Sequence, residues 1–129
     1  MKKILIVTAN YYKDISFGLL NSAKNNLPRN FNIKIVKVPG VFEIPVTISK
    51  NLTKFDAFIA LGCVIKGQTP HFDFICNATF ISLSNLSTKS NKPIGNGIIT
   101  ALNMKQAIKR SYLKGKEAAN AVLEVIKSG

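Results

Sequence analysis

His71, the only histidine among 129 residues, closes a polar loop, Lys66-Gly67-Gln68-Thr69-Pro70, that follows an apolar run. Imidazole has the unperturbed pKa nearest neutral pH, so it suits proton transfer. Backbone N–H groups at Gly67, Gln68 and Thr69 stand where a helix would begin, a position that favours an anion. By itself, a lone histidine in a small domain is more often a helix-start or packing residue than a catalyst. The loop therefore has to be read with its neighbours.

Three further segments carry chemistry of the same kind. Tyr11 follows the first apolar run, where its ring could stack on a flat heterocycle or wedge the loop. Tyr12 takes that place if the loop register shifts by one. Glu43 lies in Gly40-Val41-Phe42-Glu43-Ile44-Pro45, an acid between apolar neighbours that needs donors. A polyol supplies them, while the alternative is a helix N-terminal carboxylate favoured by the macrodipole. Arg110 is one of two arginines beside sixteen lysines. Its planar fork suits a phosphate, or it serves a helix end as a cation.

These pieces occur in a recognisable order. Val38-Pro39-Gly40-Val41-Phe42-Glu43-Ile44-Pro45 comes first, then Gly62-Cys63-Val64-Ile65-Lys66-Gly67-Gln68-Thr69-Pro70-His71-Phe72-Asp73. Asn96-Gly97-Ile98-Ile99-Thr100 and Gln106-Ala107-Ile108-Lys109-Arg110 follow. Together they resemble the motif series of lumazine synthase, in register from about Ile4 to the last helix. That enzyme joins 5-amino-6-(D-ribitylamino)uracil to 3,4-dihydroxy-2-butanone 4-phosphate, forming 6,7-dimethyl-8-ribityllumazine in riboflavin biosynthesis.

The resemblance implies a role for each matched residue. Tyr11, where the family usually has phenylalanine, stacks on the pyrimidine. Val41, Phe42 and Glu43 hold the ribityl chain, and Cys63, Val64 and Ile65 flank the ring. Gln68, Thr69 and Arg110 bind phosphate, and His71 moves protons. It also implies no cofactor, no metal, and pentamers with active sites between subunits, sometimes packed into a shell. Two departures stand out. Asn96 replaces a frequent phenylalanine of the apolar lid, and residues 111–115 are shorter than the family's loop between its last two helices. Whether Lys114 reaches the pocket depends on that loop. An archaeal-type riboflavin synthase and a non-catalytic flavin-binding protein are the competing readings. The glycine-free segment Thr8-Ala9-Asn10-Tyr11-Tyr12-Lys13 argues against a flavodoxin-like phosphate cradle.

Composition narrows the classes. The length fits one domain, residues 1–129, with a real core. A hydrophobic fraction of 47% excludes a disordered chain. No apolar run approaches the ~18 residues of a membrane span, and residues 4–9 are too short for a signal h-region. A cytoplasmic protein is the expectation. Cys63 and Cys76, the only cysteines, read as inert buried thiols, and one histidine with two cysteines lacks metal-ligand spacing. The net charge of +12 is spread along the chain without an arm, stripe or nucleic-acid motif. It favours anionic small molecules over nucleic acid as partners.

The elements that must position these residues follow from periodicity. Strands are expected at residues 3–8, 31–36, 57–64 and 93–100. Helices are expected at 16–26, 44–52 and 72–86, with a polar linker at 87–92. A further helix starts after the cap Asn103, and Gly115 separates it from a last one. Alternating strands and helices predict a three-layer α/β/α fold with a four-stranded parallel sheet, flavodoxin-like. Ligands in such folds bind outside the carboxyl ends of the strands. That rule gathers residues 10–12, 40–43, 63–71 and 96–100 on one edge. The first strand begins near Lys3, which leaves no arm to seal a neighbour's sheet. A pentamer or a pair of pentamers is therefore expected rather than a full 60-subunit shell.

Overall fold

The computed structural model describes residues 1–68 and 70–129. Among them four strands, β1 (Lys3–Ala9), β2 (Asn32–Val38), β3 (Ala57–Ile65) and β4 (Ile94–Ala101), alternate with helices. The helices are α1 (Lys13–Asn25), α2 (Ile44–Lys50), α3 (Phe72–Ser90) and α4 (Met104–Lys127). A 3-10 turn at Val41–Glu43 leads into α2, with Pro45 in the first turn where its missing N–H costs nothing. All strands are parallel, in the order β2-β1-β3-β4. This is the three-layer, flavodoxin-like fold that the alternating pattern predicts.

β3 is the axis of the molecule. All nine of its residues are buried, as its unbroken apolar sequence requires of a strand covered on both faces. Each fully buried Leu, Ile or Phe contributes about 1.5–3 kcal/mol. Alternate residues feed two cores. Ile59, Leu61 and Ile4 pack with Ile15 and Leu19 of α1 and Ala119 and Val122 of α4. Phe58, Ala60 and Leu5 pack with Ile44 and Ile48 of α2 and with Cys76 and Leu83 of α3. The helices after β1 and after β3 thus leave toward opposite faces of the sheet.

Three differences from the sequence expectation exceed two residues. α1 starts at Lys13 rather than Ser16. The Tyr12 carbonyl accepts both the Ser16 N–H and its hydroxyl, at 2.9 and 3.0 Å, so Ser16 locks the first turn instead of preceding it. α3 runs through the expected linker to Ser90. Thr88 and Ser90 hydroxyls donate back to the Ser84 and Leu86 carbonyls, which satisfies them within the helix. The helix then stops at Asn91 in the left-handed region, φ 58°.

The third difference is the largest. The expected last two helices form one helix, α4, with no loop at residues 111–115. Asn103 caps its start, accepting the Gln106 N–H at 2.9 Å. Gly115 lies inside the helix because α1 presses against it. A Cβ there would sit 2.5 Å from the Leu19 carbonyl oxygen and 2.9 Å from Ser22 Cβ. The buried Ser22 hydroxyl donates to the Tyr112 carbonyl across the same contact. Glycine here is a packing residue, and tertiary contact outweighs its weak helix propensity.

This contact makes a prediction against propensity. Alanine in an exposed helix interior is favoured over glycine by about 1 kcal/mol. Gly115→Ala should instead destabilise the protein by about 1–3 kcal/mol, since backbone must move to admit the methyl group. Urea unfolding of both proteins decides it, and a stabilised variant would show that the helices do not approach so closely.

Candidate active site

Because α1 and α3 diverge from adjacent strands β1 and β3, a crevice opens at their carboxyl ends. It is a cleft of about 290 Å³ lined by three loops and one strand end. Ala9, Tyr11 and Tyr12 come from the end of β1 and Gly40, Val41 and Phe42 from the turn after β2. Cys63, Val64 and Ile65 end β3, and Gln68, Pro70 and Ile75 follow. Seven of the expected site residues therefore meet here, namely Tyr11, Val41, Phe42, Cys63, Val64, Ile65 and Gln68, together with Tyr12, the alternative to Tyr11.

Local geometry sets the shape of the cleft. Gly62 has no room for a side chain, since a Cβ would lie 2.6 Å from Val41 Cγ1. The turn carrying Val41 thereby packs directly on β3. Gly67 takes φ +86°, which redirects the chain after β3 toward α3. Tyr11 is 73% exposed and Phe42 64%, so the cleft is rimmed by aromatic surface open to solvent. Tyr12 is half-buried, its ring meeting that of Tyr11 edge to face at 4.8 Å.

The remaining expected residues lie elsewhere. Glu43 and Phe42 line a neighbouring hollow with Thr79 and Ser82 of α3. His71 is the exposed N-cap of α3, its ring centroid 6.5 Å from that of Phe74. Thr69 falls outside the described residues. Arg110 and Lys114 line a separate hollow of about 290 Å³ with Ile98, Ile99, Thr100, Leu113 and Glu117. One continuous helix places Arg110 and Lys114 one turn apart on the same face. Arg110 Nη1 donates to the Thr100 carbonyl at 3.2 Å, and Lys114 stands 4.0 Å from Glu117.

Asn96 is brought to neither hollow. It pairs in register with Ala60, four residues before the level of Thr100 and Val64. At ~3.3 Å per residue that is roughly 13 Å along the strand. Its Oδ1 accepts the Ile98 N–H at 3.0 Å on the free side of β4. Sequence reasoning passed over Ala9, Pro70 and Ile75 in the cleft, and Leu113 and Glu117 in the cationic hollow. Proximity to strand ends points to Ala9, the last residue of β1, whereas Leu113 and Glu117 depend on α4 being unbroken.

Burial explains the thiol. It pushes Cys63 up to about 11, so this side chain is a neutral part of the cleft wall at ordinary pH. Burial also raises the Tyr12 phenol, with Cys63 and Tyr11 adding to the effect. Among the described residues, no three His, Cys, Asp or Glu side chains cluster as a metal would require. No described helix is long and apolar enough to cross a membrane.

An open parallel sheet with a ligand-sized cleft at its switch point defines a doubly wound α/β protein. Comparison with known proteins narrows this class. The family model described as 6,7-dimethyl-8-ribityllumazine synthase matches residues 1–128. Proteins named 6,7-dimethyl-8-ribityllumazine synthase are similar over most of their length. One from Kocuria rhizophila is 37% identical, covering 94% of this chain and 83% of its own. One from Buchnera aphidicola subsp. Schizaphis graminum is 42% identical, with 95% and 84% covered. Another from Buchnera aphidicola subsp. Baizongia pistaciae is 42% identical, with 97% and 86% covered. The chain belongs to the 6,7-dimethyl-8-ribityllumazine synthase family.

The raised thiol yields a pH prediction. A group whose folded pKa lies above its unfolded value stabilises the protein below the unfolded pKa. That contribution is lost as pH rises through the folded value. For Cys63 the window runs from the ordinary thiol range, ~8.5, to about 11. Unfolding stability should fall across this interval, and Cys63→Ala should flatten the fall. An equal slope in both proteins would show that the thiol is not buried as described.

Proposed function

We propose that this protein condenses 5-amino-6-(D-ribitylamino)uracil with 3,4-dihydroxy-2-butanone 4-phosphate to 6,7-dimethyl-8-ribityllumazine, a step of riboflavin biosynthesis. The observation that carries the reading is the switch-point cleft, in which matched motif residues from three separate loops converge. Family membership favours it over an archaeal-type riboflavin synthase or a non-catalytic flavin carrier. The chain acts as one domain, residues 1–129, in the cytoplasm.

In this reading the pyrimidine lies on Tyr11 against Cys63, Val64 and Ile65, where backbone groups reach its polar edge. Val41, Phe42 and Glu43 take the ribityl chain, the carboxylate accepting its hydroxyls. Gln68 and Thr69 receive the phosphate at the loop before α3, and Arg110, with Lys114 one turn on, supplies cationic donors. The substrate amine attacks the ketone and water leaves as the imine forms. Phosphate is then eliminated, and the second nitrogen closes the ring with loss of another water. His71 adds and removes protons at these steps, an effect typically worth ~10²–10⁴-fold. Holding two reactants in one orientation provides much of the rest. The chemistry requires neither metal nor organic cofactor.

One chain carries this machinery in two places: the cleft with Tyr11 and Gln68, and the hollow with Arg110 and Lys114. Phe42 and Phe74, near the first, are 64% and 77% exposed, and Leu113, in the second, is 59% exposed. Apolar surface of this kind marks a contact surface. A second copy that docks its Arg110 hollow against the cleft completes the site. A head-to-tail contact whose rotation closes gives a ring, and the ring proposed here is a pentamer, single or paired.

The purified protein should form fluorescent lumazine from the two substrates with no added metal or nucleotide. Failure, or riboflavin formation from lumazine alone, contradicts the reading. Arg110→Ala should raise KM for the phosphate substrate at least tenfold. His71→Ala should lower kcat by ~10-fold or more while leaving a measurable rate from orientation alone. An unchanged kcat would remove the proton-transfer role.

Assembly is checked by light scattering in dilute neutral buffer. The expected mass is five or ten times that of the 14.1 kDa chain. A mass near that of sixty chains would refute the expected ring, and an active monomer would refute the shared site.

A further inference from the structure

Tyr12 is fixed far more firmly than its neighbour Tyr11. Its carbonyl is held by the Ser16 N–H and hydroxyl, and Ser16, itself 6% exposed, also donates to the Ala9 carbonyl at 2.6 Å. Its ring packs against the core on the α1 and α4 side of the sheet. From this post the phenol reaches across the switch point, and its O–H donates to Gln68 Oε1 at 3.5 Å. Gln68 belongs to the loop that follows β3, so the contact spans the crevice between β1 and β3 and joins residues 56 apart. Both side chains line the cleft.

The direction of this hydrogen bond has a chemical consequence. A glutamine amide has an acceptor face and a donor face, and a ligand phosphate can use only the donors. With the phenol O–H donating to Oε1, Nε2 points away from Tyr12 and can donate to an anion. The opposite amide orientation would turn the Oε1 lone pairs toward the phosphate.

We propose that Tyr12 is a positioning residue that holds the Gln68 amide with its N–H₂ group toward the phosphate of the substrate. This inference rests on the function proposed above. The long 3.5 Å contact of the free chain shortens when phosphate occupies the loop, because an anion on Nε2 increases the negative character of Oε1. Tyr11 and Tyr12 then divide the work: the exposed ring meets the heterocycle, and the fixed one orients the amide.

The test is steady-state kinetics with Tyr12→Phe, Gln68→Ala and the double variant, plus titration of each with inorganic phosphate. Tyr12→Phe keeps the packed ring and removes only the oxygen. It should raise KM for the phosphate substrate about five- to tenfold. Its kcat and its KM for the pyrimidine should change by less than about twofold. Affinity for inorganic phosphate should fall by a similar factor. The double variant should be no worse than Gln68→Ala alone, since both act through one amide. An unchanged phosphate affinity in Tyr12→Phe, or multiplicative losses in the double variant, would overturn the proposal. A wild-type protein that makes no lumazine would overturn the function instead. The phosphate titration reads the Tyr12–Gln68 contact independently of turnover.

Discussion

The crevice between β1 and β3 depends on one topological constraint. Right-handed crossovers force the chain leaving β1 to one face of the sheet and the chain leaving β3 to the other. With the order β2-β1-β3-β4, those two departures are side by side. No helix can cover the gap between them, so the strand ends stay open to a ligand. The apolar sequence of β3 makes the constraint binding, because a strand buried on both faces needs helices on both sides. Fold and cleft therefore have the same cause.

The second half of the proposed site is set by close packing of small residues. Gly95 and Gly97 let β4 lie against α4. A Cβ on Gly95 would be 2.3 Å from the Ala118 carbonyl oxygen. Gly115 lets α4 lie against α1. These contacts seat an unbroken α4 on the sheet and on α1, and Arg110 and Lys114 share one of its faces near the end of β4. The free side of β4 is closed by side chains rather than by another strand. Asn96 accepts the Ile98 N–H, Gln106 accepts the Leu102 N–H at 3.0 Å, and Arg110 donates to the Thr100 carbonyl. Arg110 has five donors, so most of its fork remains for a ligand while one bond fixes its place.

Much of the fold was legible because its signals are strong and local. The β-rich runs, the proline at the start of α2 and the cap at Asn103 each reflect one physical rule. The errors came where tertiary contact overrode a local one. Gly115 was read as a break because glycine disfavours helix. Its actual reason, the Leu19 backbone passing 2.5 Å from where a Cβ would stand, lies about a hundred residues away in the chain. Ser87 and its polar neighbours resemble a linker because they lack an apolar face, yet the Thr88 and Ser90 hydroxyls bond back within the helix and Ser87 donates forward to the Lys92 carbonyl. For the candidate site, strand-end position placed Tyr11, Val41, Phe42 and Cys63 in one cleft. Spacing could not reveal that Asn96 sits low on β4, since register is decided by pairing with β3. Nor could it separate Arg110 from Gln68, because only a folded chain shows that the two lie in different hollows.

In the proposed ring, lumazine forms at sites shared between copies. Subunit mixing tests this most directly. One impaired variant lacks the cationic hollow, Arg110→Ala with Lys114→Ala. The other lacks the acid and the imidazole proposed to act beside the cleft, Glu43→Ala with His71→Ala. Co-refolded in equal amounts, a head-to-tail ring places an intact cleft against an intact hollow at about one contact in four, one half times one half. The mixed rings should recover about a quarter of wild-type lumazine formation. Activity that remains at the sum of the two variants would contradict it and place the whole reaction within a single chain.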